Sequence, residues 1–307
     1  MKKVSIIGAA GTLGASCAMM LSVHSAIDEL CLIDVNERLL DNHIMDFENA
    51  FPSKNIYRGS FKDLIHSDIV IIVAGVPNRN NETSRNAYLA DNIKIIHHIG
   101  EQITRYAPEA IIVTASNPVD ALNYYLYRNF CFKRSKLIGY TLNDSFRFEW
   151  ALRKVLEINN KESVQASVLG EHGQSQVPIF SRVLLSNRQL SLTKEQKQQI
   201  QEELKTWFVR FNGLNIHRTT GWTTGVGISQ LINQLLTDEI VPSIGSAILD
   251  GEYGFENVSM GVPLLINNEG IQEIIEWNLE AEESNTLSQS ALAIKALIQE
   301  NNIHFVN

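Results

Sequence analysis

An α/β protein, with an N-terminal doubly wound parallel sheet and a C-terminal α+β domain, is the fold class this sequence predicts. Three observations carry it. Short apolar runs alternate with stretches of helical periodicity through about residue 142. Those runs are continuous rather than alternating, as in strands buried on both faces of a parallel sheet. Beyond that point helices and strands mix without a repeating order. At 307 residues the chain is longer than one core usually organises. Two closely packed domains, 1–142 and 143–307, are therefore expected.

The elements follow in order. Val4–Ile7 reads as a strand, and Gly8-Ala9-Ala10-Gly11-Thr12-Leu13-Gly14 leads from it into a helix that runs to about Val23. Leu30–Ile33 is a second strand, ending on Asp34, and the apolar run 68–74 is a buried third. Leu89, Ile93, Ile96, Ile99 and Ile103 fall at helical spacing between Tyr88 and Pro108, which stops the helix. Ala110–Thr114 is a strand closed by Ser116-Asn117-Pro118, and Lys136–Gly139 reads as the last strand of this half. In the second half the predicted helices are Ser145–Leu156, Lys194–Phe211, Thr223–Leu236 and Glu282–Gln299. Thr193 and Gln196 form a capping box ahead of the second of these. Its Gln/Glu/Lys-rich run is a solvated face and carries no function. Strands are expected near Ser163–Leu169, Ile240–Ile248 and Val262–Ile266, with a tight turn at Gly251–Gly254.

Composition narrows the class of partner. A hydrophobic content of 44% and a charged content of 20% describe a soluble globular chain. A net charge of −8 argues against nucleic acid as a ligand. No apolar run reaches membrane-spanning length or has the form of a signal peptide, so no membrane partner is expected. Cys17, Cys31 and Cys131 include no C-x-x-C pair. They read as reduced, partly buried thiols of a cytoplasmic protein, with neither a disulfide framework nor a metal site.

Two stretches carry chemistry. A strand, a glycine turn and a helix, with an acid about 20 residues further on, is the arrangement of a dinucleotide site. Glycines Gly8, Gly11 and Gly14 let the backbone approach a pyrophosphate, and the helix N-terminus supplies N–H groups. The spacing is G-x-x-G-x-x-G, and Asp34 takes the ribose hydroxyls and repels a 2′-phosphate, which favours NAD over NADP. The second stretch is Gly170-Glu171-His172-Gly173. Flanking glycines suggest a bent backbone and an exposed imidazole ring that could shuttle a proton near neutral pH. Between Gly75 and Leu89 lies a polar loop bearing Arg79 and Arg85, readable as a solvated surface loop or as a cationic lid. Arg147, at a helix start beside Asp144, is a third cation suited to two-point carboxylate recognition.

Taken together, Gly8–Gly14 with Asp34, Arg79…Arg85, Ser116–Asp120, Asp144–Arg147, Gly170–Gly173 and Gly251–Gly254…Gly261-Val262-Pro263 come in the order of the lactate/malate dehydrogenase family. The chain resembles that family over almost its whole length, with malate-type members favoured. The resemblance implies a Rossmann domain binding NAD, followed by a catalytic and oligomerisation domain. It implies that His172 is the general acid/base, that Asp144 holds its ring, and that Arg85 polarises the C2 carbonyl. Arg147 is implied to grip the C1 carboxylate, Asn117 to serve both substrate and nicotinamide, Asn92 to serve the cofactor, and Thr220 to line the substrate pocket. A small 2-hydroxy or 2-keto acid is the implied substrate, and a homodimer or homotetramer the implied assembly.

In the family the residue six before the lid arginine distinguishes substrates, and here it is Arg79. A cation closed over a methyl group loses hydration without gaining a partner, at a cost of roughly 1–3 kcal/mol. Arg79 thus favours a dicarboxylate, malate or oxaloacetate. L-Lactate/pyruvate and branched L-2-hydroxy acids are the alternatives, because Gly-Glu-His-Gly resembles those members. The lid departs from the family pattern at Asn78 and Asn80-Asn81. The segment Ile138–Asp144 is one residue shorter, with Asn143 where an apolar residue is expected. These departures motivate a non-enzymatic alternative, an NAD-binding protein with altered chemistry. An NAD-dependent glycosidase needs a metal-holding Cys/His pair that the sequence does not offer. Glu149, two residues past Arg147, stands where activated lactate members carry a cation, so no sugar-phosphate activation is expected. The chain opens directly on its first strand, without the N-terminal arm of some tetrameric lactate enzymes.

Overall fold

A computed structural model describes residues 2–76, 88–216 and 219–301. Arg79 and Arg85 lie outside the described residues. Strands β1 (Lys3–Ile7), β2 (Glu29–Ile33), β3 (Asn55–Arg58), β4 (Ile69–Ile72), β5 (Ile111–Thr114) and β6 (Leu137–Gly139) pair in parallel in the order β3-β2-β1-β4-β5-β6. The order reverses between β1 and β4, and in such sheets the crevice at the carboxyl end of that switch is where ligands bind. Helices α1 (Thr12–Ser22), α2 (Glu37–Ala50), α3 (Leu89–Tyr106) and α4 (Val119–Phe130) connect the strands. The central strands β4 (Ile-Val-Ile-Ile) and β5 (Ile-Ile-Val-Thr) are almost wholly β-branched because both of their faces are covered, and they are buried at every position.

The second half begins with α5 (Leu142–Leu156), β7 (Val164–Gln165), β8 (Val168–Gly170), β9 (Gln176–Pro178), β10 (Leu184–Leu185) and β11 (Arg188–Gln189). It continues through α6 (Lys194–Gly213), α7 (Gly221–Gln234), β12 (Val241–Asp250), β13 (Glu256–Asn267), β14 (Gly270–Ile274) and α8 (Ala281–Glu300). β12 and β13 form a long antiparallel hairpin. β12 also bridges to β6 at Ser246 and Gly139, so the sheet runs on from the first half into the second through β12, β13, β8 and β9. The α/β class is as expected. The strand expected over Ser163–Leu169 is instead two, because β7 joins β10 and β11 in a small separate sheet while β8 turns back to β13 and β9.

The cysteine expectation holds in part. Cys17 and Cys31 are buried, and burial pushes the Cys17 thiol up to about 12. Cys131 is exposed, a correction to its expected burial: it ends α4 in the left-handed region, past the last buried turn. No described helix is long and apolar enough to cross a membrane.

Candidate active site

At the switch point the glycine turn leaves β1 and enters α1. Gly8 has a φ of +95°, and a Cβ there would stand 2.6 Å from the backbone nitrogen of Ala74, just past β4. Gly14 lies beneath the turn, where a Cβ would come 2.2 Å from the carbonyl oxygen of Gly8. Both positions require hydrogen in place of a side chain. Gly11 is the N-cap of α1, has no side-chain cap, and no acid follows in the first turn. The first N–H groups of the helix are thus left to an anionic ligand. Asp34 accepts hydrogen bonds from the Ala10 N–H at 2.9 Å and the Asn36 N–H at 2.8 Å. It fastens the turn from the tip of β2, which sets a carboxylate beside the crevice. The close backbone, the uncapped helix and the carboxylate fit a dinucleotide.

His172 follows β8, and it is buried rather than exposed. The expectation of an open ring fails because glycine permits a bend without deciding what covers it. α4 and α5 hold the residue from two sides. Its Nδ1 and Asp144 Oδ2 are 2.5 Å apart, while its backbone N–H donates to Asp120 Oδ2 at 2.7 Å. The preceding Glu171 is also buried. Its N–H donates to Ser290 of α8, and its carboxylate accepts both the N–H and the hydroxyl of Ser175.

Asp144 and Arg147 share the first turns of α5, three residues apart and on one face. Arg147 Nη1 donates to Asp144 Oδ1 at 2.9 Å. Its Nε and Nη2 are buried and have no hydrogen-bond partner among the described residues. Burial pulls the pKa of this guanidinium below the ordinary arginine value, and the neighbouring Asp144 opposes the shift. Two buried, unpaired N–H donors on a cation suit a planar carboxylate. The ring of Trp207 from α6 lies under the guanidinium, 4.3 Å from centroid to carbon. A cavity of about 950 Å³ opens here, with Asp144, Arg147, Gly173, Gln176, Leu204 and Trp207 in its wall. α6 therefore borders the cavity along most of its length, from Lys194 to Val209, a correction to the expectation that its Gln/Glu/Lys-rich run is only a solvated face. The aromatic pair Trp207-Phe208, breaking the Gln/Glu/Lys run, was the signal available.

Asn92 is buried on α3 and spans two loops. Its Oδ1 accepts from the Val76 N–H at 2.8 Å, and its Nδ2 donates to the Asn117 carbonyl at 2.6 Å. Asn117 precedes a cis proline after β5, and its Oδ1 is a buried acceptor without a partner among the described residues. Thr220 caps α7, where its carbonyl accepts the Thr224 hydroxyl. Thr224 in turn accepts from Asn143 at 2.6 Å, and Asn143 accepts from the Tyr140 hydroxyl at 2.8 Å. The unexpected Asn143 is thus a buried, fully engaged link between α5 and α7, a role that sequence inspection missed.

The structure brings together His172, Asp144 and Arg147, and separately Gly8, Gly11, Gly14 and Asp34. Hydride chemistry coupled to proton transfer at an oxygen uses an acid/base side chain together with a cofactor fold, the equipment of a dinucleotide-dependent oxidoreductase. Comparison with known proteins is more specific. The lactate/malate dehydrogenase NAD binding domain matches residues 2–139, and the lactate/malate dehydrogenase alpha/beta C-terminal domain matches residues 141–305. A malate dehydrogenase of Halobacterium salinarum is 32% identical, over 98% of this chain and 99% of its own length. The Cryptosporidium parvum malate dehydrogenase structure superposes with a TM-score of 0.91 at 27% identity, covering 98% and 99% of the two chains. The minor L-lactate dehydrogenase of Enterococcus mundtii gives 0.87 at 26% identity, covering 97% and 98%. The chain belongs to the lactate/malate dehydrogenase family and is an NAD-dependent dehydrogenase of 2-hydroxy acids.

Proposed function

We propose that the chain interconverts malate and oxaloacetate. The observation that carries this reading is the buried His172–Asp144–Arg147 cluster, in which one carboxylate orients both an imidazole and an unsaturated guanidinium. Arg79, by its place in the sequence, and the names of the malate dehydrogenase relatives extend it from hydroxy acids in general to a dicarboxylate. NAD, when bound, supplies the site with a hydride acceptor or donor. Asp34 favours it over its 2′-phosphorylated form.

The remaining work belongs to the chain. Arg147 holds the C1 carboxylate through Nε and Nη2. His172 gives its proton to the keto oxygen in reduction and takes one from the hydroxyl in oxidation, while Asp144 fixes the ring and stabilises the imidazolium. Arg85 polarises the carbonyl, Asn117 orients it through its side-chain amide, and Thr220 bounds the pocket from α7. Gly8, Gly11, Gly14 and Asn92 shape the cofactor side. The division at 142/143 is supported by two family domains that meet at residue 140. Assembly as a homodimer or homotetramer is supported by exposed Met19 on α1, Val23 just past its end, and Trp222 and Val226 on α7, two helices in contact with each other.

The test is kcat/KM for oxaloacetate against pyruvate in the native protein and in Arg79→Gln. A second-carboxylate role predicts a loss of about 10²-fold or more for oxaloacetate with pyruvate spared. Equal losses would remove Arg79 from that role. The second reading, lactate or a branched 2-hydroxy acid, is favoured by Gly170-Glu171-His172-Gly173 and by the lactate dehydrogenase relatives. A native preference for pyruvate or a branched keto acid would establish it.

A further inference from the structure

We infer that Asp120 is a positioning residue for the reaction, clamping the backbone of His172 and adding a second negative charge to that of Asp144. The inference rests on the reading of His172 as the proton shuttle.

Asp120 sits in the first turn of α4 and is 3% exposed. Such a carboxylate ordinarily serves its own helix, by capping N–H groups or by facing the dipole. Here its recorded partners are elsewhere. Oδ2 accepts the His172 N–H at 2.7 Å, and Oδ1 accepts the Ser246 hydroxyl of β12 at 2.6 Å. Ser246 and Ser259 of β13 have hydroxyl oxygens 2.8 Å apart, and Asn123 donates to Ser259 at 3.0 Å. The anchor of His172 therefore runs through α4 into the middle of the long hairpin. The bond from Asp120 fixes the main chain of His172, and the Nδ1 contact with Asp144 fixes its ring.

Among the described residues, the charged groups that act on Asp120 come from two elements. α5 brings Asp144, with Arg147 paired to it, and the turn after β8 brings Glu171 and His172. β12 and β13 bring the hydroxyls of Ser246 and Ser259. Burial lifts the Asp120 carboxyl to about 7, Glu171 and Asp144 push in the same direction, and the bonds from Ser246 and His172 hold it down. Its charge thus forms over the pH range in which an imidazole titrates.

The experiment measures kcat, KM and the pH profile of kcat/KM for keto-acid reduction, with NADH binding followed by fluorescence. The proteins are the full-length chain, Asp120→Asn, Asp120→Ala, Ser246→Ala and His172→Asn. Asp120→Ala is expected to lower kcat roughly 10- to 100-fold with KM and NADH binding little changed, as for a displaced acid/base. Asp120→Asn keeps an acceptor for the His172 N–H. It should recover most of kcat at low pH while the descending midpoint of kcat/KM moves down by roughly one unit, because an anion near the imidazolium is gone. Ser246→Ala, which removes one donor from Asp120, should move the midpoint in the same direction by less. If both Asp120 variants keep the native kcat and midpoint and lose only thermal stability, the inference is overturned. Should neither fold, an unmoved midpoint in Ser246→Ala overturns it, and a lowered one supports it. Turnover retained by His172→Asn defeats the reading of His172 itself, whereas a dead His172→Asn beside native-like Asp120 variants defeats only this inference.

Discussion

The glycine turn and the His172 cluster are built in opposite ways. Between Ile7 and Asp34 the turn is local. One strand, three glycines and one helix fix its shape, and Asp34 closes it from the adjacent strand. The cluster around His172 is assembled from α4, α5, β8, β12 and α8, with partners 28, 52 and 119 residues apart in the chain. A local site fails by steric conflict at single positions. A dispersed one fails gradually, as one support after another is removed.

The largest effect should come from the chemistry itself. His172→Asn is expected to lower kcat by about 10²–10⁴-fold while NADH still binds, measured by steady-state turnover and fluorescence titration. Gly14→Ala should come next, because its Cβ meets the Gly8 carbonyl and the Ala9 backbone. We expect NADH affinity to fall at least about tenfold, or the protein to lose roughly 1–3 kcal/mol of stability. Gly11→Ala, whose nearest neighbour is 3.6 Å away, should change either by little. Equal effects at the two glycines would break the description of the turn as sterically dictated.

Within the dispersed cluster the effects are smaller and separable. Thr224→Val leaves the Asn143 amide without its acceptor and should cost about 1–3 kcal/mol in chemical denaturation. Trp207→Ala removes the ring under Arg147 and should raise KM for the keto acid more than it lowers kcat. The Asp120 carboxyl is raised in the fold to about 7. Its stabilising contribution is complete below the unfolded value near 3.9 and declines as pH rises through about 7. Any stability deficit of Asp120→Asn should therefore narrow between pH 5 and pH 8 in urea melts. The smallest expected effect is none. Fructose bisphosphate should not raise the rate, since Glu149 presents a carboxylate already paired with Arg153 at 2.8 Å.

The sequence announced the local site almost completely, because glycine spacing and strand endings are adjacent in the chain. It announced the identities of His172, Asp144 and Arg147 only through their order, since nothing in 170–173 points to a residue at 120 or 144. α4 escaped notice for a physical reason. Its buried residues run unbroken from Val119 to Leu126, with the polar Asp120 and Asn123 among them, so burial does not follow the apolar residues alone. α2 does carry linear signals, a clear stripe and an Asn36 cap, set between the stronger runs of β2 and β4. Asn143 reads as a departure from a pattern, because a hydrogen-bonded chain of three polar side chains, Tyr140, Asn143 and Thr224, has no linear signature.

The single bridge between Gly139 and Ser246 carries one last consequence. Strand β6 is three residues long and buried throughout, flanked by β5 and β12. A fragment ending near residue 142 would present that short apolar strand as a bare edge, the kind of surface that recruits other chains. The half that carries His172 thus covers an edge of the nucleotide-binding half, and the two are expected to be inseparable as soluble pieces.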